Sequence, residues 1–528
     1  MMKHTMHKLI LPLLLVTLCL PLSGCLGSDP LAEGDELDGL VGAEGLSDAE
    51  EPMQNTPAPL TSFALPILTN DTLNPFSCGD GIQQTILPLL YEGLFELNEA
   101  FEPQKLLCSE YASSPDFMIW TFTLRSGASF SDGSAVTATD VAASLQRAKS
   151  SVRYVARLSA VTSIKADGAN KVVITLNKAN NRLPALLNIP ILSKASLDAT
   201  FPIGSGPYYY KATENETACL VKNSHWPESA ALQLDTIHLE KIADESILPY
   251  LFSSHAVQML VTDYTGNAPV SYKGNLSVTD ALSTDMHYLG FNCANGPFSN
   301  PALRKAVSLG LYRDNLCKAY FSSHMQSAEF PVAPTAPWYP KELEQGYSSE
   351  LFVKSMAEAG YNSGHRKTVH MLVCDGNTFR ISAAKAIAAS LSAYDLNVIV
   401  KILPYSDYVA ALQKGSFDLY YGEVRMTPDF NCSALLETGG ALNYGRFSDP
   451  ALDEKMNAAF SVGENAGSAN KAMLTAFQSQ APIAVIGFKS QSVVLQGGAV
   501  DSITPTCANP FYQLSHWKIH IKGEPTNG

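Results

Sequence analysis

Two charged residues near the end of one predicted strand could recognise a small ionic ligand. Glu423 and Arg425 stand two positions apart in the segment YYGEVRMTPDF (residues 420–430), so an extended backbone places both side chains on one face. An arginine fork suits a carboxylate or phosphate, and a glutamate suits an amine, so the pair suits a zwitterion such as a short peptide or an amino-acid derivative. In the alternative, the two side chains bridge each other or a neighbour and contact no ligand.

A second group of residues has side chains that can ligate a metal ion. His365 and His370 flank the start of a predicted strand, and strand alternation places Cys374 on the same side as His370. The sequence contains no CxxC pair and no HExxH motif. We therefore predict no metal centre and no cofactor.

Motifs for catalysis are also missing. The sequence has no GxSxG nucleophile elbow, no Walker A loop and no GxGxxG after a predicted strand. We predict that the protein is not an enzyme, with a lipid-anchored secreted hydrolase as the alternative.

One segment predicts a strand, a turn and a capped helix in succession. In residues 120–124 (WTFTL), large apolar side chains alternate with polar ones, as in a strand with one buried face. The turn residues Ser-Asp-Gly follow at 131–133. Thr137 precedes Asp140 by three positions, the spacing of a capping box at the start of a helix.

A later segment predicts a β-α-β unit and therefore parallel strands. Residues 369–374 and 398–403 are strand-like, and residues 382–393 between them are helix-like. Such a unit positions the strand that carries Glu423 and Arg425 within an α/β sheet.

The N-terminal residues predict export and lipid attachment. Basic residues precede an apolar run at 9–22, which is too short for a transmembrane helix of about 20 residues and suits a signal peptide. The run ends in Leu-Ser-Gly-Cys, which resembles a bacterial lipobox. We therefore predict a lipoprotein signal peptide at residues 1–24 and lipidation of Cys25, with two or three acyl chains giving a stable membrane anchor.

The next segment, residues 25–62, predicts a disordered acidic tether. Residues 26–60 contain nine acidic residues and neither Lys nor Arg, with too few large apolar residues to bury a core. The formal net charge of the whole chain is −14, and no basic stripe is present. This balance excludes nucleic acid as a partner.

The folded part is too long for one core and predicts two lobes or more. Eight cysteines remain after removal of the signal peptide and lipidation of Cys25. Export permits disulfides, and eight cysteines allow 105 full pairings, among which the sequence alone does not choose.

Several segments together resemble the family 5 solute-binding proteins of ABC importers. The matching segments, in the order of the family, are DTLNPF (71–76), YEGLF (91–95), residues 120–147, IGSGPY (203–208), the helix LRKAVSLGL (303–311) and AEAGY (357–361). The resemblance extends over nearly the whole mature chain. It is specific because it includes turn and cap residues at several places.

The resemblance implies an α/β fold of the two-lobed periplasmic-binding-protein type II-like kind, with an extra subdomain in lobe one. The parts that it implies are lobe one at residues 63–285 plus 489–528, an inserted subdomain at about 76–203, and lobe two at 286–488. Within this fold, residues 511–521, in which Trp517 and Ile519 alternate with polar residues, are predicted to return to lobe one as a strand. Cys78–Cys108 and Cys293–Cys317 lie in neighbouring segments of the implied fold, so we expect these pairs as the first disulfide candidates.

The resemblance also implies ligand contacts in a cleft between the lobes. In peptide-binding relatives an aspartate that holds the peptide amine stands where this chain has Met426, which departs from the family pattern. Asn443 and Tyr444 stand at a family position where an amide and an aromatic ring line the cleft, or otherwise shape a loop. Tyr154 stands in a region that supplies an aromatic wall, or otherwise packs in the core.

The function that the resemblance implies is capture of a solute, most simply a short peptide, and its delivery to an ABC permease and ATPase. A nickel chelate or an oligosaccharide is the alternative ligand within the family, and a signalling receptor is an alternative role. We expect a monomer on the outer face of the bacterial cytoplasmic membrane, facing the periplasm if the cell is Gram-negative.

Overall fold

A computed structural model describes residues 62–79, 81–212, 218–361, 367–392, 396–463 and 465–520. All of them lie in the unit Pro57–Gly528. The predicted signal peptide, Cys25, nearly all of the predicted tether and His365 lie outside the described residues. In the part of the chain that is described, no helix is both long and apolar enough to cross a membrane.

The described elements include both strands and helices. The first half contains, in chain order, β1 (Ala64–Leu68), α1 (Ile82–Leu90), β2 (Phe95–Leu97), β3 (Pro103–Lys105), β4 (Cys108–Ser113), β5 (Ile119–Leu124), α2 (Ala138–Ala148), β6 (Val161–Asp167), β7 (Lys171–Leu176), α3 (Leu183–Leu186), β8 (Tyr208–Ala212), β9 (Ala218–Lys222), β10 (Thr236–Ile242), α4 (Leu248–Ser253) and β11 (Met259–Thr262). The second half contains β12 (Leu276–Phe291), α5 (Pro301–Leu309), α6 (Arg313–Tyr320), β13 (Met325–Ser327), α7 (Ser349–Glu358), β14 (Lys367–Cys374), α8 (Thr378–Ser392), β15 (Leu396–Leu403), α9 (Tyr405–Lys414), β16 (Leu419–Arg425), α10 (Ser433–Leu436), α11 (Pro450–Ser461), α12 (Ala466–Gln480) and β17 (Ile483–Gln496).

The strands form two large groups, which we call lobe one and lobe two. Lobe one contains the sheet β1-β10-β9-β8 and the antiparallel sheet β4-β5-β7-β6, and one hydrophobic core joins them. Lobe two is built on the sheet β11-β17-β12-β16-β14-β15, which has a separate core on each face. The α/β fold is confirmed, and the residue boundaries predicted for the lobes and the subdomain stay predictions.

Two long strands of this sheet, β12 and β17, span the residue boundaries predicted between the lobes. β12 and β17 pair antiparallel from Leu276 opposite Gln496 to Gly290 opposite Ile483. The register with β17 shifts between Leu282 and Met286, so residues 283–285 leave the ladder with β17, whereas Asp285 stays paired with Arg425 of β16. A bulge of this kind turns side chains away from their regular direction, and it lies at the end of the range predicted for lobe one.

The local predictions for residues 120–148 are confirmed. In β5 the side chains of Trp120, Phe122 and Leu124 are buried and those between them are not. Thr137 and Asp140 form the capping box at the start of α2. The β-α-β prediction is also confirmed, because β14 and β15 pair in parallel on either side of α8.

The segments with family-like sequence contact one another in lobe one. Ser131 donates its backbone N–H to the Gly204 carbonyl at 2.9 Å, and Gly206 donates to Leu90 at 2.9 Å. A Cβ on Gly204 would lie 2.1 Å from the Leu90 oxygen. Glycine is therefore required at residue 204, because the two backbones approach too closely for a side chain.

One predicted strand is wrong. We expected residues 511–521 to return to lobe one as a strand, but a 3₁₀ turn occupies Leu514–His516 and only an isolated bridge joins Ile519 to Val500. Gln513 has φ = 57°, which interrupts an extended backbone. Trp517 is nevertheless buried in the core of lobe one.

A buried glutamate makes the stability of lobe one depend on pH. The Glu92 carboxylate is 3.5 Å from the Arg125 guanidinium, and its Oε2 atom has no hydrogen-bond partner among the described residues. Burial raises the pKa of Glu92 from 4.5 to about 7, although Arg125 lowers it in part. The neutral form is therefore favoured in the folded protein.

Glu92→Gln should remove this pH dependence. Between pH 4.5 and about 7 the unfolded chain loses a proton that the folded protein keeps, so the wild type loses stability as the pH rises. The variant should gain about 3 kcal/mol relative to the wild type between pH 4.5 and pH 8, as measured by urea unfolding across that range. The exposed Glu110→Gln is the control, and a parallel pH dependence of Glu92→Gln and wild type would contradict the assignment.

Candidate functional site

Strand β16 places the two predicted ligand contacts on one face, as expected. Its antiparallel pairing with β12 sets Asp285 opposite Arg425 and His287 opposite Glu423. Glu423 and Arg425 therefore each have a cross-strand neighbour whose side chain can form a hydrogen bond or an ion pair with them. No contact between Glu423 and Arg425 themselves is required to satisfy either charge.

Arg425 forms a two-pronged ion pair with Asp285. The Nε atom donates to Oδ1 at 2.8 Å and Nη2 to Oδ2 at 3.2 Å. Asp285 comes from the bulge of β12, and its side chain is 11% exposed, whereas that of Arg425 is 70% exposed. The aspartate thus fixes a guanidinium whose remaining surface faces outward from lobe two.

Glu423 is neutralised by a different set of residues. Its carboxylate lies 3.0 Å from Arg380, 3.4 Å from Lys489 and 3.5 Å from the Nε2 atom of His287. Lys489 in turn pairs with Asp263 at 2.6 Å. The geometry is that of the alternative in which the glutamate bridges neighbours, and the amine contact stays an untested prediction.

These neighbours decide the charge state of Glu423. Burial alone would raise the pKa of its carboxyl, but His287, Lys489 and Arg380 outweigh burial, so the pKa of Glu423 lies well below its usual range. Burial lowers the pKa of Lys489, but the nearby carboxylates of Glu423 and Asp263 raise it by more, so the net change is upward. The cluster therefore remains an internal ion network at neutral pH.

The segment after α2 brings a second arginine to the lobe boundary. Arg157 donates to the Asn188 amide oxygen at 2.6 Å, and its guanidinium carbon lies 5.5 Å from the Tyr154 ring centre. Burial lowers the pKa of Arg157, and the positive charge of Arg425 lowers it further. The two arginines of the two lobes therefore act on each other electrostatically.

No motif in the sequence marks Arg157. It stands three positions after Tyr154, so one turn of helix-like backbone is enough to bring it beside the predicted aromatic wall. Tyr154 itself is buried and packs edge-on against Phe76, which agrees with the alternative of core packing. Its role as a ligand contact stays a prediction.

A third segment, which follows β17 in the chain, also lies near Arg425 and Arg157. Cys507 is close enough to Asp285, Arg425 and Arg157 for their charges to affect its thiol, although burial, the largest cause, raises its pKa to about 11. In the described residues no cysteine forms a disulfide. The expected bridges Cys78–Cys108 and Cys293–Cys317 are therefore wrong.

The remaining predicted contacts lie in lobe two. Met426 is buried in its core. The Asn443 side chain bonds the backbone of Glu437 and Phe447, which shapes the loop as the alternative proposed. Tyr444 is half-buried with its ring 6.5 Å from that of Tyr420. The ligand contacts predicted for these three residues remain untested.

The possible metal group is only partly visible. His370 lies 3.5 Å from Asp418 through its Nδ1 atom, and Cys374 stands at the end of the same strand. His365 lies outside the described residues. Within the described ranges, no group of three or more His, Cys, Asp or Glu side chains is arranged to hold a metal ion.

The site can bind an anion more readily than it can carry out a reaction. Arg425 and Arg157 supply two guanidinium groups, and Asp285 supplies one carboxylate that is already paired with Arg425. Two neighbouring positive charges repel each other, and a ligand carboxylate between them would relieve that repulsion and accept charge-assisted hydrogen bonds.

A family model and a curated relative match the sequence. The model for bacterial extracellular solute-binding proteins of family 5 matches residues 102–434. The glutathione-binding protein GsiB of Escherichia coli (strain K12) is 25% identical over 313 residues, which are 56% of this chain and 61% of that protein. The chain thus aligns with about three fifths of the length of this relative.

Solved structures share the fold at lower identity. The unliganded open form of MppA, a periplasmic murein tripeptide binding protein, has a TM-score of 0.71 at 19% identity and covers 88% of this chain and 99% of its own. A nickel ABC transporter structure from Bacillus halodurans has a TM-score of 0.71 at 18% identity, with 85% and 98% covered. The two-lobed fold is therefore confirmed.

Proposed function

Because the chain belongs to the bacterial extracellular solute-binding proteins of family 5, we propose that it captures short peptides between its two lobes. Sites between domains enclose a ligand from both sides, and contacts to both lobes favour the closed form. The related GsiB is named as a glutathione-binding protein, and MppA is named as a murein tripeptide binding protein. Both ligands are short peptides, which supports this class.

The observation that carries the proposal is the fork of Arg425 on Asp285, with Arg157 nearby in the other lobe. A peptide carboxylate can accept hydrogen bonds from both guanidinium groups once the lobes close. The buried Met426 replaces the family aspartate that would hold the peptide amine. We therefore propose that recognition relies on the carboxylate end of the ligand more than on the amine end.

The proposal includes a role in transport. After capture, the closed protein would dock on the permease of an ABC importer whose ATPase subunits supply the energy. An extracellular family implies an extracytoplasmic location, and we propose that the protein works there as a monomer. Cleavage of a peptide by the purified protein would favour a hydrolase, and peptide binding without uptake into cells would favour a signalling receptor.

The ligand class can be tested directly. Native mass spectrometry of freshly purified protein should detect a bound short peptide. A thermal-shift panel should then show a higher melting temperature with glutathione or defined di- and tripeptides, because a ligand of the folded state stabilises it by mass action. A rise only with nickel chelates or with oligosaccharides would replace peptides by that class, and no rise with any of them would contradict ligand capture.

Membrane attachment has a separate test. We propose that Cys25 carries acyl chains that tether the protein to the outer face of the membrane. Cells grown with a palmitate analogue should label the wild-type protein, and Cys25→Ser should abolish the label and release the protein from the membrane fraction. Cys19→Ser, inside the predicted signal peptide, is the matched control. Undiminished labelling of Cys25→Ser would contradict the assignment.

A further inference from the structure

The connection between β7 and α3 belongs to lobe one and contacts lobe two. Lys178 forms an ion pair with Glu437 at 2.9 Å. The Asn180 side chain donates to Oδ2 of Asp429 at 2.8 Å. These partners belong to the range predicted for lobe two, so the segment 178–182 joins the lobes through its own polar side chains.

Arg182 makes the most extensive of these contacts. Its guanidinium carbon lies 3.8 Å from the ring centre of Trp338 and 4.4 Å from that of Phe460. It also donates to the Asp429 carbonyl at 3.2 Å and to the Asn470 amide at 2.5 Å. Burial lowers the pKa of Arg182 to about 10, while the charge of Asp429 opposes that change. A cation held between two aromatic rings and away from water is a strong contact.

Asn181 completes the end of a helix in the other lobe. The last carbonyl groups of a helix have no partner within the helix. The Asn181 backbone N–H donates to Phe460 at 2.9 Å, and its side chain donates to Ala459 at 3.0 Å and to Val462 at 2.6 Å. The C-terminal end of α11 is therefore capped by lobe one.

We propose that residues 178–182 form a latch that holds the lobes closed without a ligand. The contacts are ion pairs, amide hydrogen bonds and cation–π contacts rather than a shared hydrophobic core, and such polar interfaces between domains open and close readily. The latch also lies near the proposed ligand site, because Asp429, which accepts hydrogen bonds from Asn180 and Arg182, is close enough to Arg157 for its charge to raise the pKa of that guanidinium. The inference rests on the proposed function in one respect, that the closed form of the protein is the form that binds the ligand.

The latch sets the affinity for any ligand of the closed form. When only a fraction of the protein is in the binding-competent state, the apparent dissociation constant rises by the inverse of that fraction. A latch that favours the closed state therefore raises affinity without contacting the ligand. Arg182 is in this sense a positioning residue.

The test uses small-angle X-ray scattering on the full protein, shown to be ligand-free by native mass spectrometry. The wild type should have the compact scattering curve of the closed form. Arg182→Ala should lower the ratio of closed to open molecules by about tenfold or more and increase the radius of gyration. Lys178→Glu should lower the ratio of closed to open molecules severalfold. The double variant Lys178→Glu/Glu437→Lys should restore the compact scattering curve.

Controls separate the latch from general destabilisation and from the choice of ligand. Arg147→Ala, which removes an exposed ion pair with Asp198, should leave the curve unchanged. Hydrogen exchange should increase at the end of α11 in Arg182→Ala while β5 keeps its protection. Compact curves for both single variants, or an open curve that the charge swap does not reverse, would overturn the latch. The proposed ligand class is unaffected by either result, since no ligand is present.

Discussion

Glu423→Gln should lower the free energy of unfolding by about 3 kcal/mol, because it leaves buried positive charges without their shared counter-ion. Lys489 is 8% exposed and Arg380 11% exposed, and the glutamate that neutralises them is 28% exposed. Lys489 keeps Asp263 as a partner, so the loss should lie at the lower end of the range known for broken buried ion pairs. Urea unfolding followed by tryptophan fluorescence measures it.

The pH dependence of this loss follows from the lowered pKa of Glu423. A carboxylate whose folded pKa is depressed contributes stability above its unfolded pKa of about 4.5 and loses that contribution as the pH falls. The gap between Glu423→Gln and wild type should therefore be largest near neutral pH and close in acid. The exposed strand residue Glu240→Gln is the control. Unchanged stability together with lost ligand affinity would instead make Glu423 a ligand contact.

Arg425→Ala should have the opposite signature, a large loss of affinity with little loss of stability. A charge-assisted, two-pronged contact to a ligand carboxylate contributes up to about 3 kcal/mol, which corresponds to roughly a hundredfold in the dissociation constant. The Arg425 side chain is 70% exposed but Asp285 is only 11% exposed, so Arg425→Ala leaves a buried carboxylate without this partner and should cost about 1 kcal/mol of folding free energy. Titration calorimetry with the peptide that the panel identifies measures the affinity.

A conservative change should separate charge from geometry at this position. Arg425→Lys keeps the positive charge but loses the planar fork, so its affinity should fall between those of Arg425→Ala and the wild type. Arg446→Ala is the matched control, since that arginine bonds the backbone of Gln413 and Lys414. Wild-type affinity in Arg425→Ala would remove this residue from the site.

Local features of the fold could be predicted from the sequence, because their causes lie within a few residues. The capping box of α2 needs only Thr137 and Asp140, and the alternation in β5 needs only one buried face. The failed strand at 511–521 shows the limit of this reasoning. Its alternating pattern was real, but the backbone at Gln513 has a positive φ that the pattern did not reveal.

The candidate site could be predicted in part. Spacing in β16 correctly placed Glu423 and Arg425 on one face, yet their partners come from residues far away in the sequence. Asp285 is opposite Arg425 only because of the register of β12, and Lys489 comes from β17. Pairing between distant strands is a property of the whole sheet, so no local pattern distinguishes a ligand contact from an internal ion pair here.

The paired strands β12 and β17 also determine how the molecule can move. Two hydrogen-bonded strands resist sliding and separation. They bend and twist more easily where the hydrogen bonds between them are interrupted, as they are at residues 283–285. We therefore expect the lobes to move mainly by bending at this interruption. Asp285 lies at the interruption and holds Arg425, so a ligand bound by Arg425 would act close to the bend. The ligand and the segment 178–182 would then favour the same bent form, and their free-energy contributions to closure would add.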